Sequence, residues 1–497
     1  MMSPRRNSPR DLVLNGAAAY PDRVAIIAGE TRLTYAALAQ RTSRLARVLA
    51  DAGVQAGTQV ALLFPNSVDF IVWYYAVLQA GGIVMSLAPS LALRETQEFI
   101  EASGAQFLAA PRSASLARPL GALQAPDPAH LGEGDLWRIP HGAAALDSEP
   151  WTDDGLMLRH HTSGSTGRPK HIFKTETTVA FDLGTFHGTL RTRAGLGTND
   201  VFLGALPFHT IYGAKSFTAA FYLGACVSIL PRFFPGPALQ TVARNKVTAF
   251  LASPAMIEAL STCFLRPGEE QSLRSLGYCS TSGAGLRAEL SAAFTNRFGV
   301  PVHNNYGSTE TMSVAADRDG DFEEGRVGRP YPEVDVRIFD IDGNVLPAGM
   351  RGEIGVRSPG VSTGYIDDPE SSAKLFRNGY AFPGDQGYLD GSNRLHLLGR
   401  GDVINIDGMK VDPLEVELIL RRSLPVSEVV VLAGERGGVP VVRAVIEANP
   451  KTVTVQMVID ACRAQLAPHK VPAIVEIRER LARDESGKVL RQSLTER

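Results

Sequence analysis

Leu158-Arg-His-His-Thr162-Ser-Gly-Ser-Thr-Gly167-Arg-Pro-Lys170 gathers four hydroxyls, two glycines and one lysine into a short loop ahead of an extended run, Lys170-His-Ile-Phe-Lys174. Gly164 and Gly167 let backbone N–H groups approach anionic oxygens without a side chain in the way. Thr162, Ser163, Ser165 and Thr166 add hydroxyl donors and Lys170 adds a cation, so the loop suits a polyphosphate. A mononucleotide P-loop would read Gly-Lys-Ser/Thr after a four-residue gap from its first glycine. Gly164 is followed at that spacing by Pro169, which excludes it. On these residues alone, a plain Ser/Thr/Gly connector is the competing reading.

Outward from this loop, apolar strand-like runs alternate with helical ones from about residue 10 to 400. The run at Arg23 is followed by Tyr35 to Gly53, Val60 to Phe64, Asp69 to Ala80 and Ile83 to Leu87. The rhythm recurs at Val201 to Ala205, Cys226 to Leu230, Ala249 to Ala252 and Ser275 to Cys279, each ahead of a helix-like stretch. This pattern predicts an α/β fold, a large N-terminal domain of layered parallel sheets. Ala110 to Trp151, rich in Ala, Pro, Gly and Asp, reads as an irregular excursion without chemistry. From Val327 short strands and turns predict a β-rich subdomain over 327–400. Residues 403 to 497 read as a small α+β unit, with helices at Pro413 to Arg422 and Val455 to Leu466 and strands at Val426 to Ala433, Val439 to Glu447 and near Val475. The expected boundary divides 1–400 from 401–497.

A chain of 497 residues is too long for one ordinary core, so two or three domains are expected. Net charge of −2 with 21% charged residues gives no basic field for nucleic acid or an anionic membrane. Cys226, Cys263, Cys279 and Cys462 show no metal or disulfide spacing, so reduced, buried thiols are expected. The basic start is not followed by an apolar run with a cleavage site, which points by default to the cytoplasm. The apolar stretch Phe70 to Ala88 is broken by Gln79 and Gly81-Gly82, so it reads as a buried helix, a turn and a buried strand, not a membrane span.

Three further motifs carry chemistry. In Asn304-Asn-Tyr-Gly-Ser-Thr-Glu310-Thr, Tyr306 suits a base, Thr309 a phosphate oxygen and Glu310 a phosphate-bridging Mg²⁺. The competing reading is a strand-to-helix turn capped by Ser308 or Thr309. Gly384-Asp385-Gln-Gly387 is a turn presenting one carboxylate, a group that can accept two hydroxyl bonds from a ribose, and Gly399-Arg400-Gly-Asp402 is a further Gly-Asp motif, though such turns are common on surfaces.

In this order the four motifs resemble the adenylate-forming superfamily of acyl- and aryl-CoA synthetases, peptide-synthetase adenylation domains and luciferases. The resemblance spans nearly the whole chain. It is supported by Thr34-Tyr-Ala-Ala-Leu, Pro207-Phe-His209, Ser282-Gly-Ala-Gly-Leu286, Gly325-Arg-Val-Gly-Arg-Pro330, Gly364-Tyr365, Gly408-Met-Lys-Val-Asp-Pro-Leu-Glu-Val-Glu417 and Ser486-Gly-Lys488-Val-Leu-Arg491. It implies a large N-terminal domain for ATP and a carboxylate, and a small, mobile C-terminal lid that rotates between two half-reactions.

The resemblance further implies that Thr162, Ser163, Gly164, Ser165, Thr166, Gly167 and Lys170 hold phosphates. It implies that Thr309 and Glu310 contact the α-phosphate and Mg²⁺, that Ser282, Gly283, Ala284, Asn305, Tyr306 and Gly307 surround adenine, and that Asp385 and Arg400 contact ribose. Lys488 matches the lysine of the first half-reaction, and His209 the histidine gating the carboxylate pocket. The hinge reads Gly399-Arg-Gly-Asp402-Val-Ile404, one residue shorter than the usual pattern, with Asp402 as hinge candidate.

Amino-acid-activating relatives carry an aspartate where this chain has Leu206-Pro-Phe-His209-Thr-Ile-Tyr-Gly213, so an α-amino acid is not implied. Phe186, Ile211, Tyr212 and Gly213, with Gly283, Gly307 and Ser308, suit an aromatic or short-to-medium acyl acid. The implied cofactors are ATP, Mg²⁺ and coenzyme A. A phosphopantetheinyl carrier protein is the alternative acceptor. Luciferase-type oxidation of the adenylate and a non-catalytic acyl-adenylate or nucleotide sensor are the lower alternatives.

Overall fold

A computed structural model describes residues 8–112, 123–124, 134–139, 155–162, 170–317, 322–340, 342–366, 368–400, 404–406, 409–411, 413–436, 439–484, 487 and 489–494. They form two compact units, one from 1–162, 169–335 and 356–381 and the other from 336–355 and 382–497. Among the described residues no helix is long and apolar enough to cross a membrane.

The first unit contains two sheets. In one, Val24–Ala28, Cys226–Ile229, Val201–Gly204, Ala249–Ala252, Tyr278–Thr281 and Val302–Ser308 run parallel in that spatial order. Met312–Ala316 and Arg326–Pro330 extend it antiparallel. The other sheet has the order Tyr365–Ile366, Lys170–Thr175, Leu156–Thr162, Ile83–Ser86, Gln59–Leu62, Phe107–Pro111, Gly134–Arg138 and Leu123–Gln124. Its central strands are buried without alternation, as expected where helices cover both faces. The α/β expectation holds.

Helix Val68–Gln79 ends at Ala80, Gly81 turns with φ +87°, and the chain enters Ile83–Ser86, as the interrupted apolar run predicted. Side-chain caps start several helices: Thr34, Ser67, Thr210 and Ser253 each accept an N–H two or three residues into the helix they precede. Phe70, Phe208 and Phe217 form a buried aromatic cluster with ring centroids 5.1 to 6.2 Å apart. It fixes the start of helix Ile211–Leu223 against helix Val68–Gln79.

Three expectations need correction. Ala110 to Trp151 is not wholly irregular, because Gly134–Arg138 pairs antiparallel with Phe107–Pro111 and buries Leu136 and Trp137. Its weak periodicity hid a strand that its partner specifies. The strand expected at Ser275 to Cys279 lies at Tyr278–Thr281, because Leu273 and Leu276 bury in the preceding turn. Cys226, Cys279 and Cys462 are buried free thiols, whereas Cys263 is half-buried after helix Pro254–Thr262.

In the second unit, Glu428–Arg436 pairs antiparallel with Val439–Glu447, which pairs parallel with Ile474–Arg478. Helices Pro413–Ser423 and Val455–Arg463 cover this sheet around Val416, Leu420, Val431, Ala444, Ile446, Val458 and Cys462. These elements match the periodicity of the sequence closely.

Candidate active site

In an open parallel sheet, ligands bind beyond the carboxyl ends of the strands, where loops leave the edge. Three parallel strands of the first unit deliver many of the singled-out residues there. Leu206 to Gly213 follow Val201–Gly204, Ser282 to Ala284 follow Tyr278–Thr281, and Asn305 to Ser308 end Val302–Ser308.

The loop carrying His209 is pinned by buried Asn66, which the sequence reading missed. Its Nδ2 donates to the Leu206 carbonyl at 2.8 Å, and its Oδ1 accepts the Phe208 N–H at 2.8 Å. Thr210 Oγ1 then accepts the Gly213 N–H at 2.9 Å, starting helix Ile211–Leu223. A Cβ on Gly213 would lie 1.8 Å from the Pro207 carbonyl oxygen, so only glycine fits. Gly213→Ala is therefore expected to destabilise the protein by roughly 1–3 kcal/mol. Urea unfolding checks this, and an unchanged midpoint would contradict it.

Tyr212 Oη donates to the Ser280 carbonyl at 3.3 Å, with the Asn305 side chain also in reach. Burial pushes the Tyr212 phenol far up, which keeps it a donor. Tyr212 and Asn305, expected in different parts of the site, thus meet directly. Tyr306 is buried in the strand, and Gly283 adopts φ +91° with open space where a Cβ would be.

The connection after Ser308 leads to a strand and not, as one reading had it, to a helix. Ser308 Oγ accepts the N–H groups of Glu310 and Thr311, while Thr311 Oγ1 accepts the Ser308 N–H, each at 3.2 Å. Met312 takes φ +58°, and a Cβ on Gly307 would lie 2.1 Å from the Met312 carbonyl oxygen. These contacts close the chain back onto Met312–Ala316, with Thr309 and Glu310 at the tip.

Glu310 is 7% exposed, and its Oε1 accepts the Tyr365 hydroxyl at 2.7 Å. Its carbonyl accepts the Ser362 N–H at 2.9 Å and the Lys174 ammonium at 3.4 Å. Lys170 donates to Ser371 Oγ at 2.6 Å, lies 3.8 Å from Asp368 Oδ2, and sits 5.3 Å from the centre of the Tyr365 ring. Tyr365 thereby meets the phosphate-binding candidate Lys170 on one side and the metal-binding candidate Glu310 on the other.

Among the described residues no cluster of three or more His, Cys, Asp or Glu could cage a metal. A single buried carboxylate with one oxygen already engaged fits Mg²⁺, which keeps waters and takes phosphate oxygens. Glu310 is therefore suited to an ion that arrives with a nucleotide.

Behind Glu310 lies a polar network absent from the sequence reading. Lys215 donates to Asp182 Oδ1 at 2.9 Å and to Ser313 Oγ, and its Nζ lies 4.6 Å from the centre of the Phe186 ring. The Ser313 N–H reaches the same Asp182 oxygen at 3.0 Å. Burial raises the Asp182 carboxyl, but Lys215 and these hydrogen bonds more than reverse it, leaving it below its ordinary value. Burial draws His187 down to about 4, so it is neutral beside Thr218. Phe186 and His187 occupy a π-helical turn, Leu183–His187, that this network ties to Met312–Ala316. The one advance sign was charge inside apolar runs, at Lys174 in Ile172-Phe-Lys174 and Lys215 in helix Ile211–Leu223.

Burial pulls the fully buried Lys174 amine down to about 7, against the pull of Glu310 and Asp182 and with the push of Lys215. Unfolded, the same amine titrates near 10.4. Between these values the unfolded chain holds a proton that the folded chain lacks, so stability rises with pH across that window. Below pH 7 both states are protonated and the slope vanishes. Wild type is expected to gain about 1.4 kcal/mol per pH unit relative to Lys174→Met between about pH 7.5 and 9.5. Denaturant unfolding at several pH values checks this, and parallel slopes would refute it.

Asp385 opens strand Asp385–Leu389 in the second unit, and its register partner is Arg400, the last residue of Leu395–Arg400. Backbone pairing thus places the two ribose candidates opposite each other. Ser163, Gly164, Ser165, Thr166, Gly167, Asp402 and Lys488, with the side chains of Thr162 and Arg400, lie outside the described residues. The backbones of Thr162 and Lys170, at the two ends of the candidate phosphate-binding segment, are antiparallel partners.

Residues 14–366 match the sequence family described as AMP-binding enzyme. A feruloyl-CoA synthase of an Amycolatopsis species is 31% identical over 491 residues, covering 96% of each chain. An oxalate–CoA ligase of Arabidopsis thaliana is 28% identical, covering 97% of this chain and 96% of its own. The ATP-bound crystal structure of MatB from Rhodopseudomonas palustris superimposes with a TM-score of 0.80 at 27% identity, covering 98% of both chains.

Proposed function

The chain belongs to the AMP-binding enzyme family, and from that premise we propose that it activates an aryl or short-to-medium acyl carboxylic acid as its adenylate, releases pyrophosphate and transfers the acyl group to coenzyme A. Its class is that of an AMP-forming acid–thiol ligase using ATP, Mg²⁺ and coenzyme A. The named relatives are CoA ligases, which favours coenzyme A over a carrier protein as acceptor. The observation that carries the reading is the meeting of Lys170, Tyr365 and Glu310 in one cluster beside the carboxyl edge of the parallel strands.

Bound Mg²⁺ offsets the negative charge of the triphosphate, which would otherwise repel an incoming carboxylate. Glu310 supplies the carboxylate that holds that charge in place, and Thr309 donates to an α-phosphate oxygen. Lys170 and the loop from Thr162 to Gly167 hold the outer phosphates. Tyr306, with Ser282 to Ala284, Asn305 and Gly307, faces the base, while Asp385 accepts ribose hydroxyls with Arg400 beside it. Phe186, Ile211, Tyr212, Gly213 and Ser308 line the acyl pocket, whose carboxylate end His209 gates. Lys488, carried by a lid of residues 401–497 turning at Asp402, donates to the oxygens on which charge accumulates as the acyl–phosphate bond forms.

Pyrophosphate release with ATP, Mg²⁺ and a panel of aryl and C4 to C12 acids tests this, run with coenzyme A and separately with a phosphopantetheinylated carrier. Acid-dependent release with coenzyme A thioester as product is expected. Product with the carrier alone would overturn the acceptor, and no release with any acid would overturn the reaction.

A further inference from the structure

Tyr365 is held from both of its flanks. Its N–H donates to Ser372 Oγ at 2.8 Å, and Ser372 Oγ also lies 3.3 Å from its carbonyl oxygen and 2.8 Å from that of Asp368. The short strand Tyr365–Ile366 pairs antiparallel with the start of Lys170–Thr175, with Tyr365 opposite Ile172. Asp368 caps the following helix, Pro369–Leu375, by accepting the Ser371 N–H at 2.9 Å, which places the Ser371 hydroxyl under Lys170. The backbone that sets the Tyr365 ring is therefore built onto the same strand that starts with Lys170.

The ring uses its two chemistries on two different charges. Its hydroxyl donates to Glu310 Oε1, turning that carboxylate in one direction. Its face lies 5.3 Å from the Lys170 ammonium, a cation–π distance. A carboxylate that must present an oxygen to Mg²⁺, and a lysine that must meet the phosphates carrying that Mg²⁺, are thus referenced to one rigid aromatic group.

We propose that Tyr365 is a positioning residue for nucleotide binding, its hydroxyl orienting Glu310 toward Mg²⁺ and its ring face holding the Lys170 ammonium in register with the phosphates. The inference rests on the roles given above to Glu310 and Lys170 and adds a residue between them. It predicts that the two contacts separate. The hydroxyl governs the metal dependence of nucleotide binding, and the ring governs nucleotide binding whether or not metal is present.

The test is equilibrium titration of ATP, without acid or coenzyme A, across Mg²⁺ concentrations and in EDTA. Tyr365 is half-buried, so Tyr365→Phe removes one hydroxyl and leaves no cavity. Tyr365→Phe is expected to raise the Mg²⁺ concentration for half-maximal enhancement of ATP binding about tenfold. Its ATP affinity in EDTA should match wild type. Tyr365→Leu should show the same shift and also weaken ATP in EDTA about threefold. In a Glu310→Gln background, Tyr365→Phe should leave the remaining Mg²⁺ dependence unchanged, because the group it orients has lost its charge. Unaltered Mg²⁺ dependence in Tyr365→Phe would overturn the proposal, as would equal weakening with and without Mg²⁺, or additivity with Glu310→Gln. If wild type itself binds ATP with no Mg²⁺ dependence, the metal role of Glu310 fails first, an outcome distinct from a failure of Tyr365.

Discussion

Lys488→Ala is expected to slow acid-dependent pyrophosphate release by roughly 10²- to 10³-fold while leaving thioester formation from supplied acyl-adenylate near the wild-type rate. When a carboxylate attacks the α-phosphorus, negative charge gathers on the phosphoryl oxygens and on departing pyrophosphate, and a fixed cation counts for most at that moment. Thioester formation from the adenylate expels AMP and makes no comparable demand. The described residues that flank position 488 along the chain are tied down. Arg483 bridges Val489 as an isolated antiparallel pair, the Gly487 N–H donates to the Asp484 carbonyl at 2.9 Å, and Gly487 takes φ +85°. Arg491 reaches Glu417 at 3.4 Å. Burial lifts Glu417 above the ordinary carboxylate value despite Arg421 and Arg491, so this anchor is tied to the core of the second unit. Coupled measurement of pyrophosphate and of thioester from synthetic adenylate separates the half-reactions. Equal loss in both would refute the assignment of Lys488 to the first.

Glu310→Gln is expected to lower pyrophosphate release roughly 10²-fold and to raise the Mg²⁺ requirement, with the fold intact. The amide keeps the volume of the carboxylate and an oxygen for the Tyr365 hydroxyl, so the turn closed by Ser308 and Thr311 should persist. What it loses is the charge. That charge also favours the protonated form of Lys174, so its removal should lower the Lys174 value further below about 7. The same variant should therefore begin its pH-dependent gain in stability at lower pH than wild type. Steady-state rates at graded Mg²⁺ check the first expectation and denaturant unfolding the second. Full activity at ordinary Mg²⁺ would remove Glu310 from the metal site.

Much of the fold was legible because it depends on local periodicity. Helix Pro413–Ser423 and strands Glu428–Arg436 and Val439–Glu447 lie within a few residues of where their patterns predicted them. The interrupted apolar run at Gln79 and Gly81 read as helix, turn and strand for the same reason. Strand Gly134–Arg138 was not legible, since its partner Phe107–Pro111 supplies the pairing that its own composition does not announce. The turn after Ser308 was ambiguous in the sequence because a hydroxyl cap serves a helix or a hairpin equally well. Met312 in the left-handed region decides between them.

The sequence alone determined the class of fold, the order of the four motifs that the resemblance assigns to phosphate, base, ribose and the C-terminal lysine, and the family to which the chain belongs, because each is written in residues adjacent along the chain. The tertiary structure decided which side chains act together. Lys174 meets Ser362 across 188 positions, Ser313 meets Asp182 across 131, and Tyr365 meets Glu310 across 55. No local pattern encodes such pairs. They form because strand register and helix packing bring buried polar groups within reach, and a group removed from water there must find its partner wherever in the chain that partner lies.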